Sequence, residues 1–69
     1  MNEGLELICI RADDYVAELL EREAGLLPPG FEASAYILLQ QAKLFRESTR
    51  TETITISKKI AAKLGFISR

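Results

Sequence analysis

Sixty-nine residues with a net charge of −1, 48% apolar residues, one cysteine and no histidine exclude several classes at once. No disulfide can form within the chain, a structural zinc site lacks its usual Cys and His ligands, and the net charge implies no polyanion partner. A chain this short buries only about 60% of its unfolded surface and needs a staple, which leaves oligomerisation, and a homodimer is expected.

The opening MNEG lacks the basic and apolar regions of a signal peptide. Apolar runs such as AYILL fall far short of the roughly 20 residues that span a membrane. A lone cysteine suits a reducing compartment. A soluble cytoplasmic protein is expected. The charge is divided along the chain: residues 1–32 carry −6 and residues 33–69 carry +5. The two halves can attract each other within a hairpin or across a dimer, or the basic half can meet an acidic partner.

The expected fold is mainly α: one small helical domain over 1–69, built as a helical hairpin with a short extended segment and a short C-terminal helix. Over residues 3–24, Leu5, Ile8, Cys9, Ala12, Tyr15, Val16, Leu19 and Leu20 share an arc of about 140° at 100° per residue. That favours one continuous helix. The rival is a strand in LELICIR followed by a helix capped at Asp13, because Ile8, Cys9 and Ile10 suit a strand. Strand alternation would, however, put Glu6 on the face of Ile8 and Ile10. Gly25 reads as the helix stop, and 25–30 as a turn stiffened by Pro28 and Pro29, with Leu26 and Leu27 closing the end of the hairpin.

The second helix is expected over 31–48. Phe31, Ala35, Leu38, Ala42 and Phe45 recur at spacings of 4, 3, 4 and 3, a heptad-like seam of alternating large and small side chains. Ala33, Ile37 and Leu44 form a second ridge well over 100° away. Two ridges need two neighbours, so the seam is assigned to the dimer interface. Residues 51–56 alternate as a strand or extended linker, and a strand there needs a partner, such as its own copy across a two-fold axis. Ser57 then caps a short helix, 58–64, closed by Gly65. Phe66 and Ile67 are expected to tuck into the hairpin.

The run SKKIAAKLGFIS, residues 57–68, resembles the first half of a bacterial helix-turn-helix, with Ala61 and Gly65 at the small positions of that pattern. One extra residue separates Gly65 from Ser68, and the recognition helix that enters the major groove would begin where this sequence stops. In the plainer reading Ile60, Ala61 and Leu64 are a buried face. Arg46, Arg50, Lys58, Lys59 and Lys63 form a candidate basic patch, with Lys58 and Lys59 at a helix N-terminus where cations oppose the dipole. That patch suits phosphates or an acidic protein surface, or is a solvated end paired with acids of the first helix. Tyr15, Tyr36, Phe66 and Ile67 are candidate partner contacts, since tyrosine serves interfaces well.

Catalysis has little to build on. No histidine is present for general base work, no phosphate-cradling glycine loop or paired cysteine occurs, and no cofactor or metal site is expected. Asp13 and Asp14 point about 100° apart on a helix and read as surface charge, or as a cap if the strand reading holds. Cys9, on the apolar stripe, reads as buried and inert. In size and pattern the chain resembles the small helical proteins with which bacteriophages inhibit host regulators, including anti-activators of transcription factors. That resemblance implies a non-enzymatic protein that binds and inhibits another protein. The alternative is a DNA-binding regulator that uses the basic C-terminal half.

Overall fold

The computed structural model describes residues 6–67. The order of elements is β1 (Leu7–Arg11), α1 (Ala12–Leu26), α2 (Glu32–Arg46), β2 (Thr53–Ser57) and α3 (Lys58–Lys63). The protein is mainly α, with a helical hairpin and one two-stranded antiparallel sheet.

The continuous helix expected over 3–24 is corrected. Residues 3–5 lie outside the described residues, 7–11 are a strand, and the helix starts only at Ala12. The strand wins because it has a partner. Ile8 stands opposite Ile56 and Ile10 opposite Ile54, an isoleucine cluster on one sheet face. Bonds from Ala12 N–H to the Glu52 carbonyl and from Lys58 N–H to the Glu6 carbonyl, both 2.8 Å, continue the ladder beyond each end. Glu6 is no obstacle: it precedes the strand, is exposed, and pairs with Lys58 at 3.1 Å. The partner of β2 is thus β1 of the same chain. Cys9 lies on the other sheet face, beside Thr55 at 3.6 Å, and is exposed rather than buried.

The boundaries of the helices follow local chemistry. Asp13 and Asp14 occupy the first turn of α1, where acids complement the dipole. Gly25 does not stop α1, which runs on to Leu26. Pro28 stops it, by forcing Leu27 into extended geometry at φ −69° and ψ 140°. Leu27 is half-buried, but Leu26 is 83% exposed and closes nothing. Gly30 turns the chain at φ 98°, and its N–H donates to Glu32 at the start of α2. The Ser57 hydroxyl caps α3 by accepting from the Ile60 N–H at 3.1 Å. At the other end Phe66 N–H reaches the Ala61 carbonyl and Gly65 N–H the Ala62 carbonyl, with Gly65 at φ 86°. This is the Schellman stop that the glycine was expected to supply. α3 packs on the strands.

The apolar core among the described residues consists of alanines: Ala17, Ala24, Ala42 and Ala61. Ala17 and Ala24 are seven residues apart on α1, as are Ala35 and Ala42 on α2. Counting back from the turn at Pro29 and Gly30, Ala24 comes level with Ala35 and Ala17 with Ala42. Small side chains on both sides let the helix axes approach toward the near end of the usual range of about 8–10 Å. The cost of this arrangement is that no large side chain among the described residues is fully buried. The Cα atoms span 44 × 28 × 15 Å. The shortest extent is about half the next, so the molecule is a flattened plate, in which α2 packs on α1 and α3 on the strands, where a domain ordinarily has two packed layers.

Candidate interaction surface

One knot of charge fixes the open end of the hairpin. Arg11, the last residue of β1, aims its guanidinium at the C-terminal end of α2. Its Nη1 donates to the carbonyls of Ser48 at 2.9 Å and Arg50 at 3.0 Å. Its Nη2 donates to the carbonyls of Arg46 at 3.0 Å and Phe45 at 3.3 Å, and to Asp14 at 2.8 Å. The fork satisfies carbonyls that a helix end leaves unpaired and sets a cation at the negative end of the dipole. The hydrogen bond to Asp14 holds the Arg11 pKa above its ordinary value, against the opposing effect of burial.

Asp13 is only 5% exposed. It is neither surface charge nor a cap: α1 has no side-chain cap bond, and Asp13 accepts from Arg50 at 2.7 and 3.1 Å. The Ser48 hydroxyl chiefly, then Arg50 and Arg11, hold its carboxyl below the ordinary value of 3.8, while burial pushes the other way. Arg50 also lies 5.9 Å from the centre of the Phe45 ring.

On α1 and α2, 100° per residue sorts side chains to the two broad sides of the plate. Measured from the alanine contact, Asp14, Glu18, Glu21 and Arg22 of α1 fall on one side with Glu32, Lys43 and Arg46 of α2. The ion pairs agree with that sorting. Arg46 bridges Glu21 at 2.7 Å and Glu18 at 3.3 Å, and Arg22 pairs with Glu18 at 3.0 Å. Hydrogen bonding to Arg46 lowers the Glu21 pKa, and Glu21 in turn raises that of Arg46. The other side carries Val16, Leu20, Leu27, Leu38 and Phe45, all half-buried. Ile37 and Leu44 stand on its shoulder, and Leu44 is 69% exposed. Apart from Asp13, Glu23 is the one charged helical residue sorted to this side. A shallow depression of about 500 Å³ opens there between Gln41, Leu44, Phe45, Ser48 and Arg50.

The residues expected to form the dimer seam are divided by this geometry. Ala42 is buried within the chain itself, and Ala35, Leu38 and Phe45 are half-buried beside α1, while Phe31 is exposed. Ala42 therefore meets α1 rather than a second copy, because alanine packing on α1 takes that face. The second ridge, Ala33, Ile37 and Leu44, is exposed. The candidate basic patch does not assemble as one surface. Arg46 and Arg50 belong to the hairpin and Lys58, Lys59 and Lys63 to α3, and Arg46, Arg50 and Lys58 are spent on acids of the first half. Among the described residues, Lys43, Lys59 and Lys63 carry no ion pair.

The candidate partner contacts are also separated. Tyr36 is 63% exposed on α2, Tyr15 is half-buried on α1, and Phe66 and Ile67 are half-buried after α3. In the helix-turn-helix-like run, Ala61 is buried and Leu64 half-buried, but Ile60 is exposed; Ser68 lies outside the described residues. The Arg11–Asp13–Arg50 knot was not anticipated, since partners 37 to 39 residues apart leave no local spacing to read. No group of three or more Cys, Asp or Glu among the described residues is arranged to hold a metal, and no described helix is long and apolar enough to cross a membrane. Comparison with protein-family models, curated proteins and solved structures finds no match.

Proposed function

We propose that this chain is a small non-catalytic regulatory protein that works as a homodimer and inhibits another protein by occupying its surface. The observation that carries the reading is that, among the described residues, the buried apolar side chains are all alanines while Ile37, Leu44, Tyr36 and Phe31 stand more than half exposed. Exposed apolar surface on this scale marks interaction sites.

For the target the best-suited residues are Tyr36 and Leu39, on the charged side of α2 beside Lys43. An exposed tyrosine is favoured at the centre of a contact, and Lys43, which forms no ion pair among the described residues, suits an acidic rim on the target. The test is capture from a bacterial lysate on the immobilised full chain, with and without nuclease. A protein retained in stoichiometric amount, indifferent to nuclease and lost with Tyr36→Ser, is the expected result.

A second reading, DNA binding through the C-terminal half, draws on Lys59 and Lys63 of α3, which form no ion pair among the described residues. Retention abolished by nuclease, with affinity falling steeply between about 50 and 200 mM salt, would support that reading and overturn the first.

A further inference from the structure

We infer that a second copy covers the uncharged broad side of the helical hairpin, so that two hairpins stacked about a two-fold axis complete a four-helix bundle. The inference rests on the homodimer reading above and names the face.

Three observations select the occupant. First, Leu20, Leu38 and Phe45 point about 40–60° from the alanine contact on the helical wheel. In a four-helix bundle that direction leads to the central axis, between the neighbouring helix of the same hairpin and the stacked one. In one chain these side chains are only half-buried, which is how the inner residues of half a bundle look. Second, α2 packs on α1 and α3 on the strands, so α2 has no second layer of the kind that a stable domain needs. A second copy supplies it at matching length, since both helices of each hairpin have 15 residues. Third, the face is close to neutral. Ser34 and Gln41 are the α2 side chains aimed most directly out of it, and Glu23 is its one exposed helical charge. The acids and bases of the opposite side already pair within the chain. Stacking that charged side on its copy would take paired charges out of water at a cost, whereas two identical neutral apolar sides carry no such penalty. An isologous contact requires that self-compatibility.

The rival occupant, a copy joined through the open edge of β1 or β2, would leave the apolar side uncovered. Sedimentation velocity of the full chain separates the two, with far-UV circular dichroism to follow folding. Ser34 and Gln41 are exposed in the single chain, so Ser34→Glu with Gln41→Glu leaves the lone hairpin unstrained but sets charges inside the stacked face. The expected result is a dimer for the unmodified chain, a dissociation constant raised at least about tenfold for the double variant, and no change for Leu39→Glu on the charged side. A dimer unaffected by Ser34→Glu/Gln41→Glu, or one abolished by Thr55→Pro in β2 while the double variant still associates, overturns this face and leaves the homodimer reading standing. A folded monomer for the unmodified chain overturns both.

Discussion

Arg11 is the single residue on which most of the hairpin's open end depends. It caps the carbonyls of α2 and shares the neutralisation of Asp13 and Asp14. Lysine keeps the charge but not the planar fork. We therefore expect Arg11→Lys to lower the urea midpoint nearly as far as Arg11→Ala, and both to act more strongly than Arg22→Ala, whose guanidinium makes one ion pair and one carbonyl bond. Arg50→Ala strands the buried Asp13 carboxylate and belongs with the severe class. The same groups set a pH dependence. The pKa values of Asp13 and Glu21 are lowered on folding from 3.8 and 4.5. Their contribution is complete above those ordinary values and is lost as pH falls through the lower folded ones. Stability measured by denaturant titration should be flat from neutrality to about pH 5 and fall below pH 4. Asp13→Asn should lower stability at neutral pH and make the acid limb shallower.

At the scale of elements, the alanine contact between α1 and α2 is the feature most open to mutation. Ala17→Leu or Ala42→Leu forces the helices apart at a fully buried position and should cost about 1–3 kcal/mol by overpacking. Ala33→Leu, on the exposed ridge, should fall within about 0.5 kcal/mol of the parent. Ser57→Ala should remove about 1 kcal/mol through the lost cap of α3. Thermal or urea unfolding of each variant checks the ordering.

Much of this level was legible in the residues. The heptad seam of α2, the Pro-terminated turn, the Ser57 cap and the Gly65 stop all rest on contacts within a few positions. The first strand was legible only as the rival of a continuous helix, because Leu7–Ile10 is apolar under either periodicity and only pairing with Thr53–Ser57, some 45 residues away, decides between them. The same limit hid the charge knot. It also left open what covers the α2 seam, of which Ala35, Leu38, Ala42 and Phe45 lie beside α1 and Phe31 is exposed: periodicity shows that a face is apolar, but not which neighbour covers it. Alanines on α1 at matching spacing were the available clue.

For the whole molecule, the plate explains why so small a chain is so apolar. A half-buried leucine gains only part of the roughly 1.5–3 kcal/mol available on full burial, and here every large apolar side chain among the described residues is in that position or worse. On the homodimer reading proposed above, association is then part of folding. The thermal midpoint should rise with protein concentration, as it does when stability is linked to assembly by mass action. A concentration-independent midpoint would mean that a single layer suffices. The most direct measurement is sedimentation equilibrium of the unmodified chain down to high dilution, with helix content followed in parallel. A mass of twice 7.7 kDa that declines together with the helical signal is the predicted result. A 7.7 kDa species that keeps its full helix content at the lowest concentration would contradict it.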